Sequence, residues 1–175
     1  MTPSSDPAPS VNAITVLIGE ILAAVGYVFP LVLTQLPQKE RWRKGGFLCC
    51  KHGSADDEPP ILLCKVGSIY HPGEAQEYFR FAQEKVNRLC SNFERGHVSS
   101  WQSRDETRLL YGGAIRAGKH VLSFSGLPEK ADEAFCLLIA MWLEWLDEAG
   151  ARDIARISRN RFFLRLPEEA VSLIA

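Results

Sequence analysis

YGGAIRAGKHVLSFSGLPEKADEAF, residues 111–135, carries the clearest local grammar in the chain. Leu109–Arg116 reads as a strand, Ala117-Gly118-Lys119 as a tight turn, and His120–Ser125 as an alternating strand that pairs back on its predecessor. Pro128 then opens a helix whose first turns carry Glu129, Asp132 and Glu133, as the positive end of a helix dipole favours. Ala131, Ala134, Phe135, Leu138, Met141, Trp142 and Trp145 continue it as one apolar stripe to about Glu148, and Gly150 is placed to end it.

Working upstream, His97–Arg104 (HVSSWQSR) alternates and predicts a further strand. Residues 72–90 predict a helix: Pro72 suits its first turn, and Ala75, Tyr78, Phe79, Ala82, Val86, Leu89 and Cys90 recur at helical spacing. Lys85 and Arg88 suit its negative end. Residues 45–70 read as a hairpin of two near-continuously apolar strands joined by the polar SADDEPP. Residues 11–36 are the most hydrophobic stretch, with Glu20 as their one charge and the basic cluster Lys39, Arg41, Arg43, Lys44 just beyond. That outlines a membrane span with a positive flank, but Gly26, Pro30 and Pro37 interrupt it. The favoured reading is a buried helix over about residues 12–24 followed by an apolar connection, with membrane association the less favoured one. Residues 1–10, rich in Pro and Ser, read as a disordered leader and lack the pattern of a signal peptide.

The elements add up to one α+β domain over residues 11–150. Its five-stranded antiparallel sheet is packed with helices in the order α-β-β-α-β-β-β-α. Residues 151–175 are expected to pack on it as a C-terminal extension. Within them Arg152, Arg156 and Arg159 have helical spacing, and FFLRL reads as a short strand.

A chain of 175 residues, 46% hydrophobic and 23% charged, suits one buried core. A net charge of -1 supplies no global field for nucleic acid. The basic stripe Arg152, Arg156, Arg159, Arg161, Arg165 lacks interleaved aromatics, so no nucleic acid is expected as partner. Five cysteines without framework spacing point to reduced, buried thiols and a cytoplasmic protein. Cys49, Cys50, His52 and Cys64 invite a metal, but adjacent cysteines of a strand face opposite ways, and none is expected. No nucleophile elbow, Walker sequence or dinucleotide fingerprint occurs, so no catalytic residue is assigned and a non-enzymatic role is favoured.

The stretch resembles the terminal part of the GlcG/HbpS-like proteins, a family that includes the C-terminal domain of PduO. The resemblance rests on the structural motif Gly112-Gly113, the hairpin glycine Gly118, Ser125-Gly126, and Asp132-Glu133 at the helix start. Ala114 stands where the family has Ile or Leu before a proline, and SNFERGHVSSWQSRDETR replaces a glycine-rich loop. The resemblance implies an oligomeric small-molecule-binding or sensor module, with haem or a related tetrapyrrole as the ligand of some members. Haem needs an axial ligand and basic partners for its propionates. His71 is the preferred ligand-binding candidate, with Tyr70, Arg80, Arg104 and Tyr111 beside it. The alternative is a protein-interaction or scaffold domain without a small ligand, docking a partner through residues 21–38.

Overall fold

The structure, a computed structural model, describes residues 10–53, 59–168, 171 and 174. Helix α1 (Val11–Gln35) begins at Ser10, whose hydroxyl accepts the Ala13 N–H at 3.3 Å. Strands β1 (Lys44–His52) and β2 (Leu62–Ser68) form an antiparallel hairpin, and α2 (Pro72–Ser91) follows. Strands β3 (Ala114–Ala117) and β4 (His120–Ser125) form a second hairpin. Three helices complete the order: α3 (Glu129–Trp142), α4 (Glu148–Ile157) and α5 (Arg161–Leu164). The four strands make one antiparallel sheet in the order β2-β1-β4-β3, so the class is α+β.

Strand alternation sends neighbouring residues of β1 to opposite layers. Leu48 and Cys50 join the large core under α1 and α3. Cys49 joins Ala82, Val86, Leu89 and Cys90 under α2 on the other face. Eleven of the 14 residues of α3 are buried, because the sheet, α1, α4 and α5 enclose it. Phe163, Leu166, Val171 and Ile174 sit in the same core, so the described part of the C-terminal segment is built into the domain.

Five expectations need correction. The strand expected over His97–Arg104 is a 3-10 turn at Ser100–Ser103, which leaves four strands among the described residues. Ser99 and Gln102 form a capping box there, and only Ser99 keeps a bridge to Ile115. The strand expected from Leu109 starts at Ala114, because Leu109 (φ 56°) and Gly113 (φ 114°) both leave extended geometry. The helix expected to reach Glu148 ends at Trp142, where Glu144 (φ 56°) turns the chain. Asp147 then caps α4, accepting from the Gly150 N–H at 2.7 Å, so Gly150 starts a helix rather than ending one. FFLRL is not a strand: Asn160 accepts from the Phe163 N–H at 3.0 Å and caps α5.

Helix α1 also continues well past Ala24. Pro30 and Gly26 lie one turn apart on its solvent side, where water can satisfy the carbonyl that Pro30 leaves without a donor. The leader over residues 1–10 lies outside the described residues except for Ser10, as does most of SADDEPP.

Candidate functional site

The conspicuous chemistry of the motif is buried. Lys85, 2% exposed, crosses from α2 to the head of α3. Its Nζ donates to Asp132 Oδ2 at 3.0 Å and to the Phe124 carbonyl at 2.8 Å. Asp132 Oδ1 accepts the Leu127 N–H at 2.8 Å. Burial pushes the Asp132 carboxyl up to about 6, against the pull of the Lys85 ammonium. Gly113 closes the cluster: at φ 114°, a Cβ there would stand 2.8 Å from Asp132 Cβ and 3.0 Å from Lys85 Nζ. Gly126, at φ 152°, lies against the backbone of Gly45 and Gly46 with no room for a side chain.

Glu133 is wholly buried and is held by hydroxyls and an amide. The Ser99 hydroxyl donates to one oxygen; Ser158 Oγ at 2.6 Å and Asn160 Nδ2 at 2.7 Å donate to the other. Burial raises its pKa. This carboxylate therefore ties the turn before β3 and the end of α4 onto α3. Nearby, Arg104 grips Glu129 through Nε and Nη2, both at 2.9 Å, and Glu129 Oε2 also accepts the Gly112 N–H at 2.7 Å. Lys130 Nζ lies 3.0 Å from the centre of the Trp101 ring and donates to the Ser158 carbonyl; burial lowers its pKa to about 8.

The five ligand-binding candidates fall in three places. His71 and Tyr70 come together on an open cleft of about 360 Å3 that Trp42, Lys44 and Glu74 complete. His71 is the N-cap residue of α2 but makes no side-chain cap bond. Arg80 lies over the Phe81 ring at 4.8 Å, and Tyr111 meets the same ring edge-on at 5.1 Å. Arg104 belongs to the Glu129 pair and stacks on Trp101 at 4.8 Å. Of the remaining motif residues, Gly118 (φ 55°) makes the hairpin turn, and Ser125 pairs with Phe47 across β1 and β4.

The thiols offer no nucleophile. Burial raises Cys49 to about 12 and lifts Cys50, Cys64 and Cys136 as well. No group of three His, Cys, Asp or Glu among the described residues is placed to hold a metal. Lys85 was expected only to suit the negative end of α2; it is buried instead, and residues 82, 85, 86 and 89 share one helical stripe. That a lysine fell on a buried stripe was the available signal.

The exposed chemistry lies on α1. None of Val11–Glu20 is buried, and Val11, Val16, Leu22 and Tyr27 are 79%, 60%, 46% and 43% exposed. The helix is long and apolar enough to cross a membrane, yet only 33% of its most apolar 18-residue stretch is buried. A buried core helix is therefore only half of its description: Ile21, Ala24, Val25, Val28, Phe29 and Val32 face the core, and the opposite side, with Glu20 as its one charge, is open. No family model, curated protein or solved structure matches the chain.

Proposed function

We propose that this chain is a non-enzymatic docking module whose working surface is the outer side of α1. The observation that carries it is an apolar helix covered on one side only. Exposed apolar surface of this continuity marks an attachment site in soluble proteins. The interior supports the same reading, because its charged groups are locked in structural bonds and do not line the cleft at His71 and Tyr70. The docking segment is then the outer arc of residues 11–30 rather than residues 21–38, much of which faces the core.

Val16→Glu with Leu22→Glu tests the proposal, since both side chains point away from the core. The wild-type chain is expected to bind an apolar dye or self-associate on size exclusion, and the double variant to lose both with an unchanged melting temperature. A wild-type chain that does neither refutes the reading.

The joint presence of His71 and Tyr70 on one cleft favours a second reading, the small-ligand module that the GlcG/HbpS-like resemblance implies. An open cleft of about 360 Å3 lies at the small end of ligand sites. On this reading haemin gives a Soret shift that His71→Ala abolishes; an unchanged wild-type spectrum excludes it.

A further inference from the structure

The start of β1 and the entry to α2 enclose a small cleft whose side chains have no structural task. Lys44 opens β1 and pairs with Ser68 at the end of β2, so Trp42 and Lys44 meet the segment that leaves β2. That segment carries Tyr70 and His71 into Pro72, which holds His71 extended (φ -109°, ψ 125°) ahead of α2. Glu74, in the first turn of α2, completes a lining of about 360 Å3.

Three of the five lining side chains carry aromatic rings, and Trp42 and Tyr70 are 51% and 67% exposed. Trp42 is also held in place. The Arg43 guanidinium lies 4.7 Å from its ring centre, and Glu40 Oε2 accepts from Arg43 Nε at 3.1 Å. A cation covers one face of a ring and leaves the other to stack. The remaining two lining residues, Lys44 and Glu74, carry opposite charges. Neither makes an ion pair, with the other or with any further described residue. Rings exposed singly are ordinary on a protein surface. Here two of them share a cleft with a cation and an anion that have not neutralised each other.

We infer that this cleft takes a small aromatic zwitterion of the amino-acid class, its ring stacked on Trp42 beside Tyr70, its carboxylate on the Lys44 ammonium and its ammonium on the Glu74 carboxylate. The inference takes the cleft from the small-ligand reading above and gives it a different guest, so the two are tested apart; it does not depend on α1. About 360 Å3 is room for one ring system and its polar substituents rather than for a macrocycle. A purely anionic guest would set a like charge against Glu74, and a purely cationic one would do so against Lys44. An apolar guest would desolvate both charges without compensation.

Isothermal titration calorimetry of the full chain with L-tryptophan tests this, against tryptamine, which lacks the carboxylate, indole-3-propionate, which lacks the ammonium, and L-alanine, which lacks the ring. L-tryptophan is expected to bind. Each of the other probes should bind at least about 10-fold more weakly, as the loss of one charge-assisted hydrogen bond or of the stacked ring entails. Lys44→Gln should erase the preference over tryptamine alone, and Glu74→Gln the preference over indole-3-propionate alone. Both positions are at least partly exposed, and circular dichroism confirms that the variants fold. No binding of L-tryptophan by the wild type, equal binding of the four probes, or charge variants that weaken every probe alike overturns the assignment. L-tryptophan binding with an unchanged haemin spectrum supports it and excludes haem. A haemin shift lost in His71→Ala without L-tryptophan binding overturns it and leaves the haem reading standing, and if neither ligand binds, both fall.

Discussion

Replacing Lys85 by Met isolates what the buried ion pair does for the fold. The methionine keeps most of the apolar stem, so packing changes little. What changes is that Asp132, 2% exposed, loses its cation, and the Phe124 carbonyl loses a donor that stood at 2.8 Å. Removing one partner of a buried pair costs about 3–5 kcal/mol. Asp132→Asn strands the ammonium instead and should cost about as much, although its side-chain oxygen still accepts the Leu127 N–H. The double variant carries no charge there, so its cost should fall short of the summed single costs by at least about 2 kcal/mol.

The pH dependence adds a second constraint. A carboxyl whose folded pKa is raised contributes stability that is present below its unfolded value and lost as pH rises through the folded one. For Asp132 that window runs from 3.8 up to about 6 in the wild type, and further up without Lys85. Lys85→Met should therefore be markedly less destabilised at pH 5 than at pH 8. Urea unfolding followed by tryptophan fluorescence at the two pH values measures all of this. A Lys85→Met cost below about 1 kcal/mol at pH 8, or additive costs in the double variant, refutes the account.

Gly113→Ala, at φ 114° and facing Asp132 and Lys85, should lose at least about 2 kcal/mol, whereas Gly118→Ala, at φ 55° on an open turn, should lose about 1; thermal melts compare them. Asn160→Ala removes a donor from buried Glu133 and the cap of α5, so about 1–3 kcal/mol is expected, with faster hydrogen exchange over residues 161–166. His120 stacks on Trp145 at 4.0 Å, and burial, with Lys119 and His52 nearby, lowers its pKa to about 4. Its contribution is complete above pH 6.5 and is lost as pH falls towards 4, so His120→Phe should flatten stability over that interval, as acid titration of unfolding reports.

The parts legible in the sequence were those where local pattern and tertiary burial agree. Helix α2 and β4 have strong periodicity, the β1–β2 hairpin has two apolar runs about a polar turn, and none meets much competition. The misread parts are those where two signals compete. HVSSWQSR alternates like a strand, yet Ser99-x-x-Gln102 is a capping box, and the box prevails because Ser99 must also reach Glu133. Gly26 and Pro30 looked like breakers, yet on a solvent-facing arc they cost too little to stop a helix whose other side fills the core. Tail arginines at one spacing looked equivalent, and only the fold separates those paired along α4 from those facing α1.

The same division explains why the most motif-like residues are poor guides to what this chain does. Gly113, Asp132 and Glu133 lie where the sheet, α2 and α3 converge, and tight packing there demands glycine and fully bonded acids. Such a site is specific because the fold is specific. An attachment surface has no such demand: it needs area, the right polarity, and a backbone that holds it still. Helix α1 meets that description by anchoring its inner arc in the core and leaving the outer one bare. The free energy that keeps α1 in place is thus intramolecular, and docking can use the outer arc without unfolding the domain. Binding should accordingly leave the melting cooperativity intact, and a variant that disrupts docking should leave stability unchanged, which separates this surface from the motif by experiment.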